Sequence, residues 1–368
     1  MIGSMGPSFQ TTLAVVLKNP EVQHKVRVQE FDRWLEWRRR NLATRHYTMR
    51  YEHTCQSQNG VSGHMQAISP RSATDRVRSP FRVAVISDEI TQDFDRACHI
   101  VAREFGMEWI ELRSMWNKNM INLDSKEIAE ARSILEKYQL RVTDIASPLF
   151  KVDWPGAPRS KFSPKESQFN ADFSFIQQDE VLERGIELAK AFRTDRVRFF
   201  DFWRLEDQAP YRSAINDKLQ DAATKAGKQN VILVLENETS CNTATGDEAA
   251  QVLRVVKSRW LMLNWDPGNA AGQGEKPYPD GYTLLPKDRI GHCHCQDLMM
   301  KSKGADYDWA AMGRGSVDWL GQFKALKRDG YRNAVSLENH WRGAGTPEES
   351  TRQSWAGMKH ILEKAGAL

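Results

Sequence analysis

Four side chains that can bind a metal ion end four short apolar runs in the second half of the chain. They are Glu236, Asp266, His294 and Glu338. Alone, a carboxylate in such a place is more typical of a helix cap or a salt bridge, and a histidine of a hydrogen-bonded core residue. Together, three converging carboxylates would repel one another unless a cation neutralised them. The set therefore predicts a site for one divalent metal ion.

The types of donor atom narrow the choice of ion. Three carboxylates and one imidazole form a mixed oxygen and nitrogen set, which suits a borderline divalent metal. We expect Mn²⁺ first, with Co²⁺ and Zn²⁺ as alternatives. Mg²⁺ is a weaker alternative, because it usually prefers an all-oxygen shell.

Eight short runs rich in apolar and β-branched residues predict the strands that must carry these side chains. Between most of them lie helical patterns, and strands alternating with helices over residues 81–368 fit a (β/α)₈ barrel, the TIM barrel, better than an open sheet. The carboxyl ends of all strands in such a barrel meet at one rim, where function gathers. The predicted strands are Val83–Ser87, Trp109–Arg113, Val142–Ser147, Val197–Phe202, Val231–Glu236, Leu261–Asp266, Gly291–Cys295 and Ala334–Glu338.

Seven segments show the periodicity of amphipathic helices. The stretch from Pro267 to Arg289 is rich in Gly and Pro and predicts a loop instead. No Gly-rich phosphate motif follows the first strand, where the sequence is Ser87-Asp88-Glu89-Ile90, so a dinucleotide-binding fold is disfavoured. The predicted helices are Phe94–Phe105, Ser125–Tyr138, Asp179–Phe192, Tyr211–Ala226, Gly246–Val256, Val317–Lys327 and Glu348–Leu362.

Residues 1–80 differ from the rest of the chain in charge and in pattern. Counting Lys and Arg against Asp and Glu gives +6 for residues 1–80 and −2 for residues 81–368, within a net charge of +4. A Gln/Ser/Gly/His-rich stretch runs from Thr54 to Gly63, and only one short amphipathic helix is plausible. We therefore predict a basic, poorly ordered N-terminal extension of loop or short helix at 1–80, followed by the barrel at 81–368.

The overall composition is that of a globular protein, with 40% hydrophobic and 27% charged residues. No run approaches the ~18 apolar residues of a membrane span. Leu13–Leu17 is too short for a secretory signal. We therefore expect a cytoplasmic protein without a membrane partner, and assembly into a homo-oligomer is left open. Because the predicted barrel is near neutral, a nucleic-acid partner is disfavoured.

Three motifs along the predicted barrel carry a family resemblance. They are His294-Cys295-Gln296-Asp297 in strand seven, Gly313-Arg314-Gly315 before the next helix, and Val335-Ser336-Leu337-Glu338 in the last strand. With them, residues 81–368 resemble the sugar phosphate isomerase/epimerase superfamily, the xylose-isomerase-like TIM barrels. The resemblance implies metal binding by Glu236, Asp266, His294 and Glu338. It also implies that Glu236 and Glu338 form the acid/base pair.

Two departures from the family pattern bear on the substrate. Asn269 stands where many members have a histidine, and Arg314 replaces an acidic residue between the two glycines. The related barrel of endonuclease IV holds three metals and needs histidines at the ends of strands two and three and at the position of Asn269. It also needs an Asp-x-His motif, whose aspartate and histidine are replaced by Tyr307 and Trp309 here. A trinuclear centre is therefore not expected, and neither is DNA as a substrate.

Several side chains close to the predicted rim are candidates for binding a small sugar or keto-sugar. Aromatic rings stack on sugars, whereas cationic and amide groups hold hydroxyl, carboxylate or phosphate oxygens. For each residue the alternative is packing at the rim or a surface salt bridge. Arg113 and Lys151 also lie near strand ends, and His292 is expected one layer deeper than His294. The substrate-binding candidates are Trp116, Trp203, Arg204, Asn269, His340 and Arg342.

The function predicted from these residues is a divalent-metal-dependent isomerase or epimerase of sugars or keto-sugars. It would transfer a proton through a metal-stabilised enediolate. A lyase or dehydratase of the same fold, acting on an inosose or a 3-keto-glycoside, shares the enolate chemistry and stays open as an alternative. A non-catalytic barrel that binds a sugar is a second alternative, against which the four intact ligands argue.

Overall fold

A computed structural model describes residues 76–163, 172–301 and 306–368 of the chain. The predicted N-terminal extension lies outside the described residues, apart from its last five. These five contact the barrel: Val77 donates its backbone N–H to Gly106, and Arg76 forms an ion pair with Glu108 at 2.8 Å. Among the described residues, no helix is both long and apolar enough to span a membrane.

Eight parallel strands form the centre of the molecule, and each was predicted to within a few residues. They pair in the order β1-β8-β7-β6-β5-β4-β3-β2. A parallel bridge between Ile86 and Glu111 joins the first strand to the second and brings the ends of the sheet together. The TIM barrel is thereby confirmed. The strands are β1 Arg82–Val85, β2 Trp109–Leu112, β3 Arg141–Ala146, β4 Arg196–Phe199, β5 Ile232–Glu236, β6 Leu261–Trp265, β7 Ile290–Cys295 and β8 Ala334–Leu337.

One helix follows each of the eight strands along the chain, as in other (β/α)₈ barrels. The first helix changes to π-helical turns at Ile100–Glu104, and most of the others begin at a side-chain cap. In α2, for example, Asp124 accepts the backbone N–H groups of Lys126 and Glu127. The helices are α1 Phe94–His99, α2 Ser125–Tyr138, α3 Gln178–Ala191, α4 Arg212–Gly227, α5 Gly246–Val255, α6 Pro267–Gly272, α7 Trp319–Arg328 and α8 Pro347–Lys364.

The prediction of a loop between Pro267 and Arg289 was wrong in its first part. This segment begins with α6, in which Asp266 accepts the backbone N–H of Asn269 at 2.8 Å and Pro267 occupies the first turn. A capping carboxylate and an N-terminal proline are sufficient to start a helix, although glycines keep it short. Further helical turns follow at Pro277–Gly281 and Tyr282–Leu284.

Side chains that alternate along β7 point either to the polar site or to the hydrophobic core. His292 and His294 form hydrogen bonds with residues of other strands across the barrel interior. Cys293 and Cys295, between and after them, are free thiols in the hydrophobic core. Successive side chains of a strand point to opposite faces, so one segment supplies both the site and the core.

Candidate metal centre and active site

The four predicted ligands meet at the C-terminal ends of β5 to β8. One donor atom from each of the four lies within 4.8 Å of the others, and all four side chains are buried. His294 Nδ1 is 3.0 Å from Glu236 Oε1 and 3.0 Å from Glu338 Oε2. Adjacent parallel strands bring their last residues to one rim, which is why residues about thirty to forty apart converge.

Asp266 is fixed by two neighbours that orient its carboxylate. Oδ1 accepts a hydrogen bond from the backbone N–H of Asn269 at the start of α6. Oδ2 accepts a hydrogen bond from Nε2 of Gln296 at 2.5 Å. The backbone N–H of Asp266 also donates to Asn237 Oδ1 at 2.8 Å. The carboxylate therefore keeps its orientation without relying on the other ligands.

Glu111 of β2 lies directly behind His294 and was not predicted as a site residue. Its Oε1 is 2.9 Å from His294 Nε2, and its side chain is fully buried. A carboxylate on the far nitrogen of a metal-binding histidine fixes the ring and leaves the other nitrogen for the metal. The signal was present in the sequence as an acidic residue inside an apolar strand, Ile110-Glu111-Leu112.

His292 lies one layer deeper, as expected. Its Nδ1 is 3.2 Å from Asn264 Oδ1, and its Nε2 is 3.3 Å from Asp144 Oδ1 and 3.6 Å from Glu111 Oε2. The polar layer beneath the four ligands thus contains side chains from four strands, β2, β3, β6 and β7. It supports His294 through Glu111 and has no exposed atoms.

Two buried arginines balance the acidic rim. An Arg198 nitrogen from β4 is 3.2 Å from Glu236 Oε2. Arg113, just after β2, reaches Glu338 Oε1 at 2.8 Å and Glu89 Oε1 at 2.5 Å. Because both guanidinium groups are almost fully buried, these pairs are only weakly screened by solvent. Each of the two glutamates predicted for acid/base chemistry therefore has an arginine beside it.

The buried side chains of the site shift one another's pKa values. Burial lowers the pKa of His294, but Glu111, Glu236 and Glu338 outweigh it and hold the pKa well above its usual value. Burial, Glu338 and Glu236 all raise the pKa of Asp266 well above its usual value. For Glu338, burial raises the pKa, but His294 outweighs burial and the pKa lies well below the usual value. These opposite shifts show how strongly the four buried side chains interact.

The residues present fit a divalent ion by size and by chemistry. One imidazole nitrogen and three carboxylate oxygens that lie within 4.8 Å of one another form a donor set that would hold such an ion. Glu236 Oε2 lacks a hydrogen bond in the described part of the chain, although an Arg198 nitrogen is near. His294 would offer Nδ1 to the ion as a neutral imidazole, because a metal-binding imidazole must be neutral.

A cavity of about 310 Å³ opens beside Glu338 and Arg198. Its wall includes the rings of Phe200 and Trp203 and the Lys151 side chain, whose Nζ lies 4.5 Å from the centre of the Phe200 ring. Size and a partly apolar lining are typical of a pocket for a small ligand. The cavity is lined by Arg113, Asn119, Pro148, Lys151, Val152, Asp153, Asp172, Phe173, Ser174, Arg198, Phe200, Trp203, Glu238, Glu338 and His340.

Two of the six predicted substrate-binding residues line this cavity. Trp203 packs with Phe200 and Cys241, and His340 Nε2 lies 3.5 Å from Glu338 Oε1. Burial lowers the pKa of His340, but Glu338 outweighs it and raises the pKa to about 8. Arg342 lies at a smaller neighbouring cavity, where it pairs with Glu89.

The remaining three candidates have partners within the protein and do not line the main cavity. The Trp116 ring meets Phe94 edge to face. Arg204 NH2 pairs with Glu248 at 2.6 Å. Asn269 holds Thr239 Oγ1 at 3.2 Å through its side-chain oxygen. Their contribution to substrate binding stays a prediction.

Asp297, from the motif after His294, holds the glycine loop in place. Its carboxylate accepts backbone N–H groups of Gly313, Gly315 and Val317 at 3.0, 2.9 and 3.3 Å. A Cβ on Gly315 would lie 2.1 Å from Asp297 Oδ1, so no larger residue fits. The three hydrogen bonds therefore tie the glycine loop to the end of β7.

The hairpin between β7 and this loop closes one side of the rim. Strand Asp297–Met300 pairs antiparallel with Tyr307–Ala310. Trp309, at a position where endonuclease IV has a metal-binding histidine, lies with its ring centre 4.7 Å from that of His340. The hairpin thus supplies an aromatic neighbour to a residue of the cavity.

A closed parallel barrel with acidic and histidine side chains at the ends of successive strands defines a TIM barrel with an enzyme-like centre. A family model described as xylose isomerase-like TIM barrel matches residues 100–361. The chain belongs to this family, and the resemblance inferred from its motifs is confirmed.

Known relatives within this fold have different reported activities. The putative L-ribulose-5-phosphate 3-epimerase SgbU of Escherichia coli K12 is 23% identical over 194 residues, 51% of this chain and 67% of the relative. The IolI protein with a bound zinc atom superposes with a TM-score of 0.60 at 15% identity, covering 78% of this chain and all of that one. The probable 3-DHS dehydratase AsbF of Bacillus anthracis has a TM-score of 0.59 at 17% identity, covering 77% and 99%. At these identities the structures show a shared fold.

Proposed function

We propose that the protein is a divalent-metal-dependent isomerase or epimerase of sugars or keto-sugars. The observation that carries this proposal is the convergence of Glu236, Asp266, His294 and Glu338 within 4.8 Å at the rim of the barrel. Similarity to a putative ketose-phosphate epimerase and to a zinc-containing barrel supports the same chemistry. Manganese is the ion we expect first, because the donor set mixes oxygen and nitrogen.

When bound, a divalent ion polarises the carbonyl group of a substrate and makes the neighbouring C–H more acidic. Glu236 and Glu338 are the groups that take and return the proton, because they come from β5 and β8 on either side of the other two ligands. Arg198 and Arg113 hold these carboxylates in place. The cavity beside Glu338 gives the substrate access and shields it from bulk water.

One observation favours a second candidate, a keto-sugar dehydratase or lyase. His340 lines the cavity, 3.5 Å from Glu338, and an imidazole there can give a proton to a leaving hydroxyl group. Elimination starts with the same proton abstraction and differs only in the loss of the β-substituent. The similarity to a probable dehydratase is compatible with this alternative.

Metal analysis followed by a keto-sugar panel in D₂O tests the proposal. The purified full chain should hold about one divalent ion, and Mn²⁺-loaded protein should exchange the C–H next to the carbonyl for deuterium, as read by NMR. Exchange with retention of all oxygen atoms supports the epimerase or isomerase, whereas loss of water supports the dehydratase. Metal-loaded protein that exchanges no proton in any keto-sugar would contradict both.

A further inference from the structure

The cations that line the cavity are already paired with carboxylates. Among the described residues, three lining side chains carry a positive charge at any ordinary pH, namely Arg113, Lys151 and Arg198, and the His340 imidazole lines the cavity beside them. Four lining side chains are carboxylates: Asp153, Asp172, Glu238 and Glu338. Even with a protonated imidazole, the described lining residues therefore have no excess of positive charge for an anionic ligand.

We propose that the substrate is an uncharged keto-sugar, without a phosphate or carboxylate group, and that the ion pair between Lys151 and Glu238 is the device that selects it. This inference rests on the proposed function, because it names the substrate of the same site. It differs from what the phosphorylated substrate named for the E. coli relative would suggest.

Lys151 is the cation best placed to hold a phosphate, but its ammonium group already forms an ion pair with Glu238. Its Nζ lies 3.1 Å from Glu238 Oε2, and both side chains are largely buried at the cavity wall. Phe200 and Trp203 surround the rest of the ammonium group, with ring centres at 4.5 and 5.4 Å. Glu238 is fixed in turn by Ser240, whose Oγ donates to Oε1 at 3.1 Å. The ammonium group is thus neutralised by a carboxylate that cannot easily move away.

The two arginines of the lining, Arg113 and Arg198, have more partners within the protein than Lys151 has. Arg113 contacts three carboxylates, those of Asp88, Glu89 and Glu338, at 3.0 Å or less. Arg198 pairs with Glu236 and donates to the backbone oxygen of Ala146 at 3.3 Å. Releasing either guanidinium for a ligand would leave a buried carboxylate without its partner, which is costly.

A phosphate ester would meet unfavourable charge in this cavity. A phosphate group carries about −1.5 to −2 charge near neutral pH and needs unpaired donors when it leaves water. Asp153 and Asp172 also line the cavity, with Arg159 3.3 Å from Asp153. The other lining residues are the apolar Pro148, Val152, Phe173, Phe200 and Trp203 and the polar Asn119, Ser174 and His340. The apolar part of the wall suits the C–H face of an uncharged sugar better than a hydrated anion.

A matched pair of substrates tests this inference on the Mn²⁺-loaded full chain. L-ribulose and L-ribulose 5-phosphate differ only in the phosphate, and a free ketohexose and its 6-phosphate form a second pair. For each pair we expect kcat/KM for deuterium exchange to favour the free sugar by about tenfold or more, in line with the strength of charge-assisted contacts. Calorimetric binding of the same four compounds is measured in parallel.

The variant Glu238→Gln sharpens the test, because it frees Lys151 and preserves the shape of the side chain. It should raise kcat/KM for the phosphate esters relative to the free sugars by about tenfold. Adding Lys151→Met in the double variant should remove that gain. The control Asp247→Asn changes the same amount of charge at an exposed residue of α5 outside the cavity and should leave the ratio unchanged.

The outcomes separate this inference from the proposed function. Turnover of phosphate esters in preference to free sugars overturns the uncharged substrate and leaves the metal-dependent chemistry intact. If no compound is turned over, the proposed function fails. Binding then decides the inference: free sugar bound tighter than its phosphate supports it, and the reverse order, or no binding of either, overturns it. A Glu238→Gln variant with an unchanged ratio overturns the role of the ion pair.

Discussion

The two halves of the barrel contribute different things to the same rim. Strands β5 to β8 supply the donor atoms, Glu236, Asp266, His294 and Glu338. Strands β1 to β4 and the loops after them supply the charged partners of three of those donors: Glu111 behind the histidine, and Arg113 and Arg198 beside the two glutamates. A buried cluster of acids needs both parts, because like charges in a low dielectric are stable only with counter-charges.

The residues of the half that carries the predicted ligands are easier to identify from the sequence than those of the supporting half. Its residues end strands and match a known pattern, so position and type together identify them. The supporting residues have to be placed by packing across the barrel. Arg198 lies inside β4 and Glu111 inside β2, and their partners are 38 and 183 residues away. Variants of the two halves should consequently fail in different ways.

The largest effect is expected from removing a ligand. His294→Ala or Asp266→Ala should lose the metal and, with it, about 10³-fold or more of the activity, since carbonyl polarisation supplies several kcal/mol to the transition state. EDTA should act in the same way on the unaltered protein, and Mn²⁺ or Co²⁺ should reverse it. Metal content by mass spectrometry and turnover are measured together. His360→Ala, an exposed histidine on α8, should change neither; retained activity in both ligand variants would remove the metal from the mechanism.

The next largest effect separates chemistry from metal binding. Glu236→Gln and Glu338→Gln keep an oxygen that can still bind the ion but cannot accept a proton from carbon. With excess Mn²⁺ to restore occupancy, kcat should still fall by ~10²-fold or more. In an epimerase each single variant should keep deuterium exchange on its intact face. Glu363→Gln, on the exposed side of α8, is the control, and near-normal kcat in both site variants would argue for a purely structural centre.

A smaller effect is expected when the supporting half is changed. Glu111→Gln removes the charge that faces His294 Nε2, at 2.9 Å in the structure. Metal affinity should weaken by ~10–100-fold, with kcat at saturating Mn²⁺ changed much less, because such partners orient the ligand. Titration of apo protein with Mn²⁺ measures the affinity. Glu108→Gln changes the same charge at the opposite end of β2, where the carboxylate pairs with Arg76 and Arg141. Equal metal affinity in the two variants would contradict the role of Glu111.

The smallest effect concerns the glycine loop between β7 and α7, within the half that carries the predicted ligands. Asp297→Asn should lower the free energy of unfolding by ~1–3 kcal/mol, because the amide cannot accept all the N–H groups of Gly313, Gly315 and Val317. Urea unfolding followed by fluorescence measures this. Asp308→Asn, on the exposed strand of the neighbouring hairpin, should have no measurable effect. A stability loss shared by both would mean that Asp297 does not act through the loop.

Differences between prediction and structure have local physical causes. Pro267 to Arg289 contains the glycines and prolines of a loop, yet Asp266 caps α6 by accepting the backbone N–H of Asn269. A predicted ligand of the proposed metal centre is thus also the cap of a helix, which composition alone does not reveal. Likewise, the charge of Arg204 suggested a sugar contact, whereas Glu248 holds it outside the main cavity. Which neighbour a long side chain contacts depends on the conformation of the loops, and loop conformation leaves no periodic pattern in the sequence.

The sequence by itself determined the barrel, the strands that carry the four ligands and the family to which the chain belongs. The hydrophobic patterns of strands and helices, and the residue types at the strand ends, are local features of the sequence. In a barrel of parallel strands, all of those strand ends lie at one rim. Only the tertiary structure decided how the charges are distributed around that rim. It placed Glu111 against His294, Arg198 against Glu236 and Lys151 against Glu238. Pairing of buried charges depends on distances across the barrel, and those distances exist only after the sheet has closed.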